Sequence, residues 1–417
     1  MTTVDASSAR PRHWLGPFLA TLAAMLALQM SNLGFSPLLP SLQRDLGMSF
    51  SELGLFAGMY GLLAMVLSVP AGLTARRFGE KRALGGGLVV VAIGLVLLGR
   101  AASFEEALLW RGLWITGYRF AFVCVFVAVS LTCPPQLKGR TMGVVGATAS
   151  LASVIGAPFG GALEREYGWR LAVLGYAAAA LIGATLVATF YRARGSTDAV
   201  VPLGPHAIDA GPSSSGRSAF RTPIVWVLSL MLGLGGVGQF SVTFFVPSVA
   251  RDVFGLDAVG AGWIISTGYL CAIGANLVVG ALMDRYVKWK VLAGLFVVLA
   301  VASATLTIPD LTIFRIATAV VLAGGFTAAN QLYGIAGDII RGRETGPVMG
   351  VVSLGAGVFG YFGPQTLGAL RDLTGGFAAG FYAVAVADLL TLTLIMTLYR
   401  RAWNRQHAPT GLPKYGA

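Results

Sequence analysis

The sequence predicts an all-α membrane protein in which twelve transmembrane helices form two pseudo-symmetric six-helix halves around a central cavity. Three observations predict it. Apolar residues make up 56% of the 417-residue chain and charged residues only 12%, about half the charged share of a typical soluble domain. About twelve apolar stretches approach the ~20 residues that a spanning helix needs. A charged turn also recurs: Gly72-Leu-Thr-Ala-Arg76-Arg77-Phe-Gly79 returns 208 positions later as Gly280-Ala-Leu-Met-Asp284-Arg285-Tyr-Val, each time between two long apolar segments. A repeat of that kind fits two related helix bundles.

Taken in order, residues 1–13 are a polar tail with Arg10 and Arg12. The first span, 14–39, is too long for a signal-peptide core and lacks a small-residue cleavage site, so it is expected to be retained. Spans two (53–75) and three (83–101) flank the first charged turn. Span four (106–132) carries Arg111, Tyr118 and Arg119, and spans five (141–163) and six (170–192) complete a first half, 14–192. Residues 193–222 hold the only long Gly/Pro/Ser-rich polar run, which reads as a cytoplasmic linker. Spans at 223–247, 261–283, 289–308, 311–338, 346–369 and 376–399 make the second half, 223–399. The 400–417 tail opens with Arg400 and Arg401, an orientation anchor. The 56 glycines suit close helix packing, because lipid supplies no hydrophobic drive between helices.

The net charge of +12 is distributed unevenly. With the linker in the cytoplasm, 21 of the 30 Lys and Arg fall on that side, eight on the other, and Arg119 within the membrane. That asymmetry is the positive-inside rule. The basic excess therefore reports topology rather than nucleic-acid binding, and it places both termini in the cytoplasm of a multi-pass protein, expected in a bacterial inner membrane. Cys124, Cys133 and Cys271 show no disulfide or metal spacing. His13, His206 and His407 sit in the tail, the linker and the C-terminus, where they cannot form a triad or a metal cage within a span. No Gly-x-x-x-x-Gly-Lys-Ser/Thr loop occurs, which sets direct ATP-driven pumping aside. The chain reads as a non-enzyme with no cofactor.

The charged turn resembles the Gly-x-x-x-Asp-Arg-x-Gly-x-Arg/Lys motif of the major facilitator superfamily, and the resemblance covers nearly the whole chain. Gly72, Arg77, Gly79 and Lys81 match, with Arg76 where the Asp is expected. The second copy keeps Gly280, Asp284, Arg285 and Lys288, with Val287 in place of the second Gly. Arg111 with Gly117 on span four, Pro158 with Gly161 on span five, and Gly360 with Gly363-Pro364 on span eleven are similar to the patterns of those helices. The resemblance implies a secondary transporter working by alternating access. An acid at the turn would accept from a neighbouring helix N-terminus or an Arg and latch one access state. Asp284 can do so and Arg76 cannot. Topology alone also asks for basic residues there.

Charges at mid-membrane are costly and usually face a polar cavity. Arg119 lies about 12 Å of helix beyond Arg111, too deep to snorkel comfortably from either end. A guanidinium there suggests a carboxylate gripped at two points, or else a structural Arg held by carbonyls or a distant acid. Arg111 is open to a cavity role, a role in coupling helix movements, or an ion pair with Glu105 or Glu106. Asp388 is the acid placed at mid-span; it is either a proton carrier or a hydrogen-bonded structural group. The resemblance implies that spans one, four, seven and ten line the cavity. Gln29, Asn32, Gln239 and Asn330 therefore rank first among neutral polar candidates, joined by Tyr118, Asn276 and Tyr361, and by Tyr60, Thr243, Gln331, Tyr333 and Gln365. Each can equally be interhelical glue.

Together these residues predict a transporter of a small organic anion, most simply a carboxylate, coupled to protons or a counter-anion and acting as a monomer in the bilayer. Drug or metabolite efflux is the first alternative, favoured by span five and opposed by Arg119. An inorganic-anion porter is the second; it calls for paired cavity arginines in both halves, and the second half offers no partner to Arg119.

Overall fold

The computed structural model describes residues 14–133, 137–191, 223–339 and 345–406. The N-terminal tail, the linker and residues 407–417 lie outside them. The described residues form helices and no strands. Helix α1 (Leu15–Leu33) runs through a 3-10 turn, Ser36–Leu38, into a short helix, Leu39–Asp45. Pro37 and Pro40 stand in the first turns of those two pieces, where a missing N–H breaks no helical bond. Next come α2 (Phe50–Phe78), α3 (Glu80–Leu98) and α4 (Phe104–Thr132). A helical run, Lys138–Phe190, breaks at Gly168, whose φ of 78° leaves the helical region; we label its arms α5 (138–167) and α6 (169–190). The second half comprises α7 (Pro223–Asp252), α8 (Ala258–Arg285), α9 (Lys288–Thr305), α10 (Leu311–Ile339), α11 (Thr345–Thr374) and α12 (Ala378–Leu394). Among the described residues, ten segments are long and apolar enough to cross a bilayer; α5 and α6 share one of them, and α11 falls outside that count.

The two charged turns are solved differently. Gly79 links α2 to α3 with φ 81°, a conformation that only glycine adopts without strain. In the second copy Tyr286 and Val287 are both extended (φ −119° and −62°), so the turn needs no glycine and Val287 is accommodated.

The halves meet along two seams of backbone contact. On α2, a Cβ at Gly61 would lie 2.5 Å from the Tyr361 nitrogen, and one at Gly54 2.5 Å from the Pro364 oxygen. Between α5 and α8, a Cβ at Gly161 would lie 2.5 Å from the Ala258 oxygen, and the Ser266 hydroxyl donates to the Val154 carbonyl at 2.6 Å. Such glycines let helices from different halves approach as small residues do in membranes generally.

One end of the bundle is sealed. There a single buried core runs across both halves, joining Phe35 and Phe56 to Phe244, Val249 and Phe381, whereas a second core around Phe296 and Leu332 stays within the second half. Two polar latches close the same end. Asp372, at the end of α11, accepts from the Phe50 and Ser51 amides of α2 at 3.0 and 2.7 Å and from the Ser51 hydroxyl at 2.5 Å. Arg251 of α7 reaches the Ser41 hydroxyl at 3.1 Å and the Glu164 carboxylate at 3.4 Å, and Ser41 also donates to Glu164.

Candidate functional site

Midway along the bundle, α4 presents Tyr118 and Arg119 towards the junction of the halves. Tyr118 is buried and donates its hydroxyl to the Gln29 carboxamide oxygen of α1. Its ring stacks on Phe122 at 5.5 Å and meets the edge of Tyr60 at 5.7 Å. Arg119 is half-buried, with its guanidinium carbon 5.5 Å from the Tyr60 ring centre; it makes long contacts to the Tyr60 hydroxyl (3.4 Å) and the Ala64 carbonyl (3.5 Å). Hydrogen bonds of that length are individually weak. Tyr60 also packs 6.0 Å from Phe240 of α7, which carries the cluster into the second half.

The second half supplies neutral groups. Gln239 and Thr243 are buried on α7, and the Thr243 hydroxyl lies 3.0 Å from that of Tyr269 on α8. Tyr269 and Asn276 share a face of α8, and Phe326, Asn330 and Tyr333 share a face of α10, by helical spacing. Tyr269 and Phe326 are in ring contact at 6.2 Å, and Asn330 donates to Asn276 at 3.1 Å. Tyr333 lies within electrostatic range of Arg119 and Tyr60. Arg119 therefore lies among Tyr60, Tyr118 and Tyr333, with Phe122 and Phe240 packed on the tyrosines Tyr118 and Tyr60.

Arg111, two helical turns nearer the sealed end, is placed apart. It is fully buried, and its three nitrogens make no hydrogen bond among the described residues. Four aromatic rings enclose it: Trp114 at 4.1 Å, Phe56 at 5.0 Å, Phe35 at 5.8 Å and, from the other half, Phe244 at 6.0 Å. Cation–π contacts of this kind contribute about 2 kcal/mol or more each when desolvated, and they take the place of the ion pair open to it with Glu105 or Glu106. Glu106 accepts instead from the Ala102 amide at 2.9 Å.

Comparison with known proteins decides the family. The sequence model of the Major Facilitator Superfamily matches residues 18–332 and 252–415. The chain belongs to the Major Facilitator Superfamily. It is 23% identical over 92% of its length to a putative tartrate transporter of Agrobacterium vitis, of which it covers 88%. It is 24% identical over 82% of its length to a chloramphenicol efflux pump of Mycobacterium tuberculosis, of which it covers 78%. Among solved structures, a bacterial homologue of the human lysosomal transporter Spinster, in an inward-facing and occupied conformation, shares the fold with a TM-score of 0.76. That match has 18% identity and covers 94% of this chain and 98% of the other. The protein is an integral membrane transporter of a small molecule and not an enzyme.

Within this Major Facilitator Superfamily fold the remaining candidates disperse. Tyr361 lies on the α2–α11 seam, its backbone against Gly58 and Gly61. Asp388 is buried between α12 and α9, where the Ser303 hydroxyl donates to it at 2.9 Å; it is separate from the Arg119 cluster. Asp284 is exposed and forms no ion pair among the described residues, while Arg77, Gly280 and Arg285 stay at the two turns. The surroundings of Gly72 and the side chain of Arg76 lie outside what is described. Sequence reasoning passed over Phe240, Tyr269 and the rings around Arg111 because apolar aromatic residues in a span look like packing. It also passed over Ser41, Glu164, Arg251 and Asp372, whose only signal is polarity at the ends of spans that later prove to be neighbours.

Proposed function

We propose that the protein is a secondary transporter of a small organic anion, a carboxylate, working by alternating access. The single observation that carries this reading is Arg119: a half-buried guanidinium at mid-span, set among the tyrosines Tyr60 and Tyr118 of the first half and within electrostatic range of Tyr333 of the second. A planar fork of N–H donors suits a carboxylate, while the tyrosine and amide groups suit hydroxyls on its body. The name of the Agrobacterium relative, a putative tartrate transporter, supports a hydroxylated carboxylate. With the basic turns cytoplasmic by the positive-inside rule, the sealed end is external and the conformation inward-facing. Asp388 lies away from the cluster beside Ser303, which favours exchange against a counter-anion over a proton carried on that residue.

The test is a binding screen of small hydroxy-carboxylates, followed by calorimetry on folded Arg119 variants. Arg119→Lys is expected to bind the selected anion about tenfold more weakly, since one charge-assisted bond is worth about 1.5–3 kcal/mol and about 1.4 kcal/mol is a tenfold change. Arg119→Gln is expected to abolish uptake. Unchanged affinity in Arg119→Gln would make Arg119 structural, and binding of lipophilic cations alone would turn the reading to efflux. In counterflow, uptake driven by internal carboxylate at clamped pH supports exchange.

A further inference from the structure

A cavity of about 440 Å³ lies away from the central site, between α2, α3 and α4 of the first half. Its walls are Thr74 and Phe78 from α2, Gly86 and Val90 from α3, and Phe120 from α4, with Arg82 at one end. Its hydroxyls are already used. Thr74 donates to the Pro70 carbonyl at 2.9 Å, and Thr116, also in the lining, to the Gly112 carbonyl at 2.8 Å. The floor is closed by backbone, since a Cβ on Gly87 would meet the Gly117 oxygen at 2.8 Å. Gly86 and Arg82 are exposed, so the groove opens outward. From Arg82 to Val90 it runs about 12 Å along α3.

Such a groove offers an occupant apolar wall for most of its length and a cation at one end only. The charge around that end is positive: Lys81 adjoins Arg82 in the chain, the Arg77 guanidinium lies 5.5 Å from the ring of the lining residue Phe78, and the Glu80 carboxylate accepts from the Tyr191 hydroxyl at 3.2 Å. A small carboxylate would leave the apolar wall uncovered, and a zwitterionic lipid would bring its own ammonium to a basic mouth. We propose that this groove holds one acyl chain of an anionic phospholipid, whose phosphate sits on Arg82 and Lys81. Basic pockets at helix ends recognise anionic head groups through the same electrostatics.

The experiment is native mass spectrometry of the full-length protein titrated with phosphatidylglycerol or phosphatidylcholine. Wild type is expected to retain one phosphatidylglycerol in preference to phosphatidylcholine. A Cβ on Gly86 meets nothing within 4 Å, so Gly86→Leu can fill the groove without displacing backbone; Val90→Trp fills it a second way should Gly86→Leu not fold. Arg82→Gln removes the head-group charge. Gly86→Leu and Arg82→Gln are each expected to weaken retention about tenfold, and Arg285→Gln, at the corresponding turn of the second half, to leave it unchanged. Wild-type retention in folded Gly86→Leu and Val90→Trp, or equal retention of the two lipids by wild type, overturns the proposal. Displacement by inorganic phosphate with no effect of the filling variants overturns the acyl-chain seat as well.

Discussion

Removing the Asp372 carboxylate is expected to open the sealed end. Asp372 belongs to the second half, yet it accepts three hydrogen bonds from the first turn of α2, so it caps a helix across the junction of the halves. A cap of this type contributes about 0.5–2 kcal/mol, and the charge at a helix N-terminus about 0.3–1 kcal/mol more. Because Asp372 is exposed, solvent screening keeps the sum near the low end, about 1–2 kcal/mol. These bonds exist only when the halves meet at this end, so their loss acts on the equilibrium between access states rather than on folding. Asp372→Ala is therefore expected to shift that equilibrium about 5–30-fold towards the unsealed state, and Asp372→Asn, which keeps an acceptor oxygen, by less. The assay is pulsed electron spin resonance between labels at Arg44→Cys and Val253→Cys, with exposed Cys271 replaced. A longer-distance population should grow in Asp372→Ala. Burial pushes the Asp372 carboxyl up, but the bonds from Ser51 and Phe50 and the charge of Arg371 outweigh it and hold the group below its ordinary range. A depressed carboxyl stabilises its bonded state above the ordinary carboxyl pKa and loses that contribution only as pH falls through the depressed value. The distance distribution should thus be flat from pH 5 to 8 as far as Asp372 is concerned. An unaltered distribution in folded Asp372→Ala would refute the latch.

Three further outcomes follow from the same geometry. Gly79→Ala forces a side chain into φ 81° and is expected to cost about 1–2 kcal/mol, read as a lower thermal midpoint, while Val287→Gly, in an extended turn, should change it by less. Gly61→Ala places a methyl 2.5 Å from the Tyr361 nitrogen, a backbone atom that cannot yield alone; the spin-label distances should lengthen, and unchanged distances would show that the α2–α11 seam is not closed by that glycine. Asp388→Asn keeps an acceptor for the Ser303 hydroxyl and should preserve proton-independent uptake, whereas loss of uptake in a folded Asp388→Asn protein would return the proton role to that residue.

The helical membrane architecture is legible because a bilayer imposes one length and one polarity on every crossing helix, and the recurrence of Gly72 and Gly280 points to two related halves. Arg119 and Tyr118 stand out in the sequence because they are polar where polarity is costly, and the structure sets Tyr118 beside Gln29 and Arg119 beside Tyr60. Arg111 has the same signal but a different environment. Its cage combines rings from α2, α4, α7 and the turn that follows α1, and no spacing along one helix tells a guanidinium whether its neighbours will be carboxylates or aromatic faces. The latches were hidden for a related reason. Asp372 and Ser51 are more than three hundred residues apart, each at a span end where a polar residue is unremarkable, and only the approach of the two halves makes one the cap of the other. Features that depend on one helix in a bilayer can be read from sequence, but those that arise between helices of opposite halves cannot. The alternating access proposed for this chain would work through contacts of the second kind, where its sequence looks least distinctive.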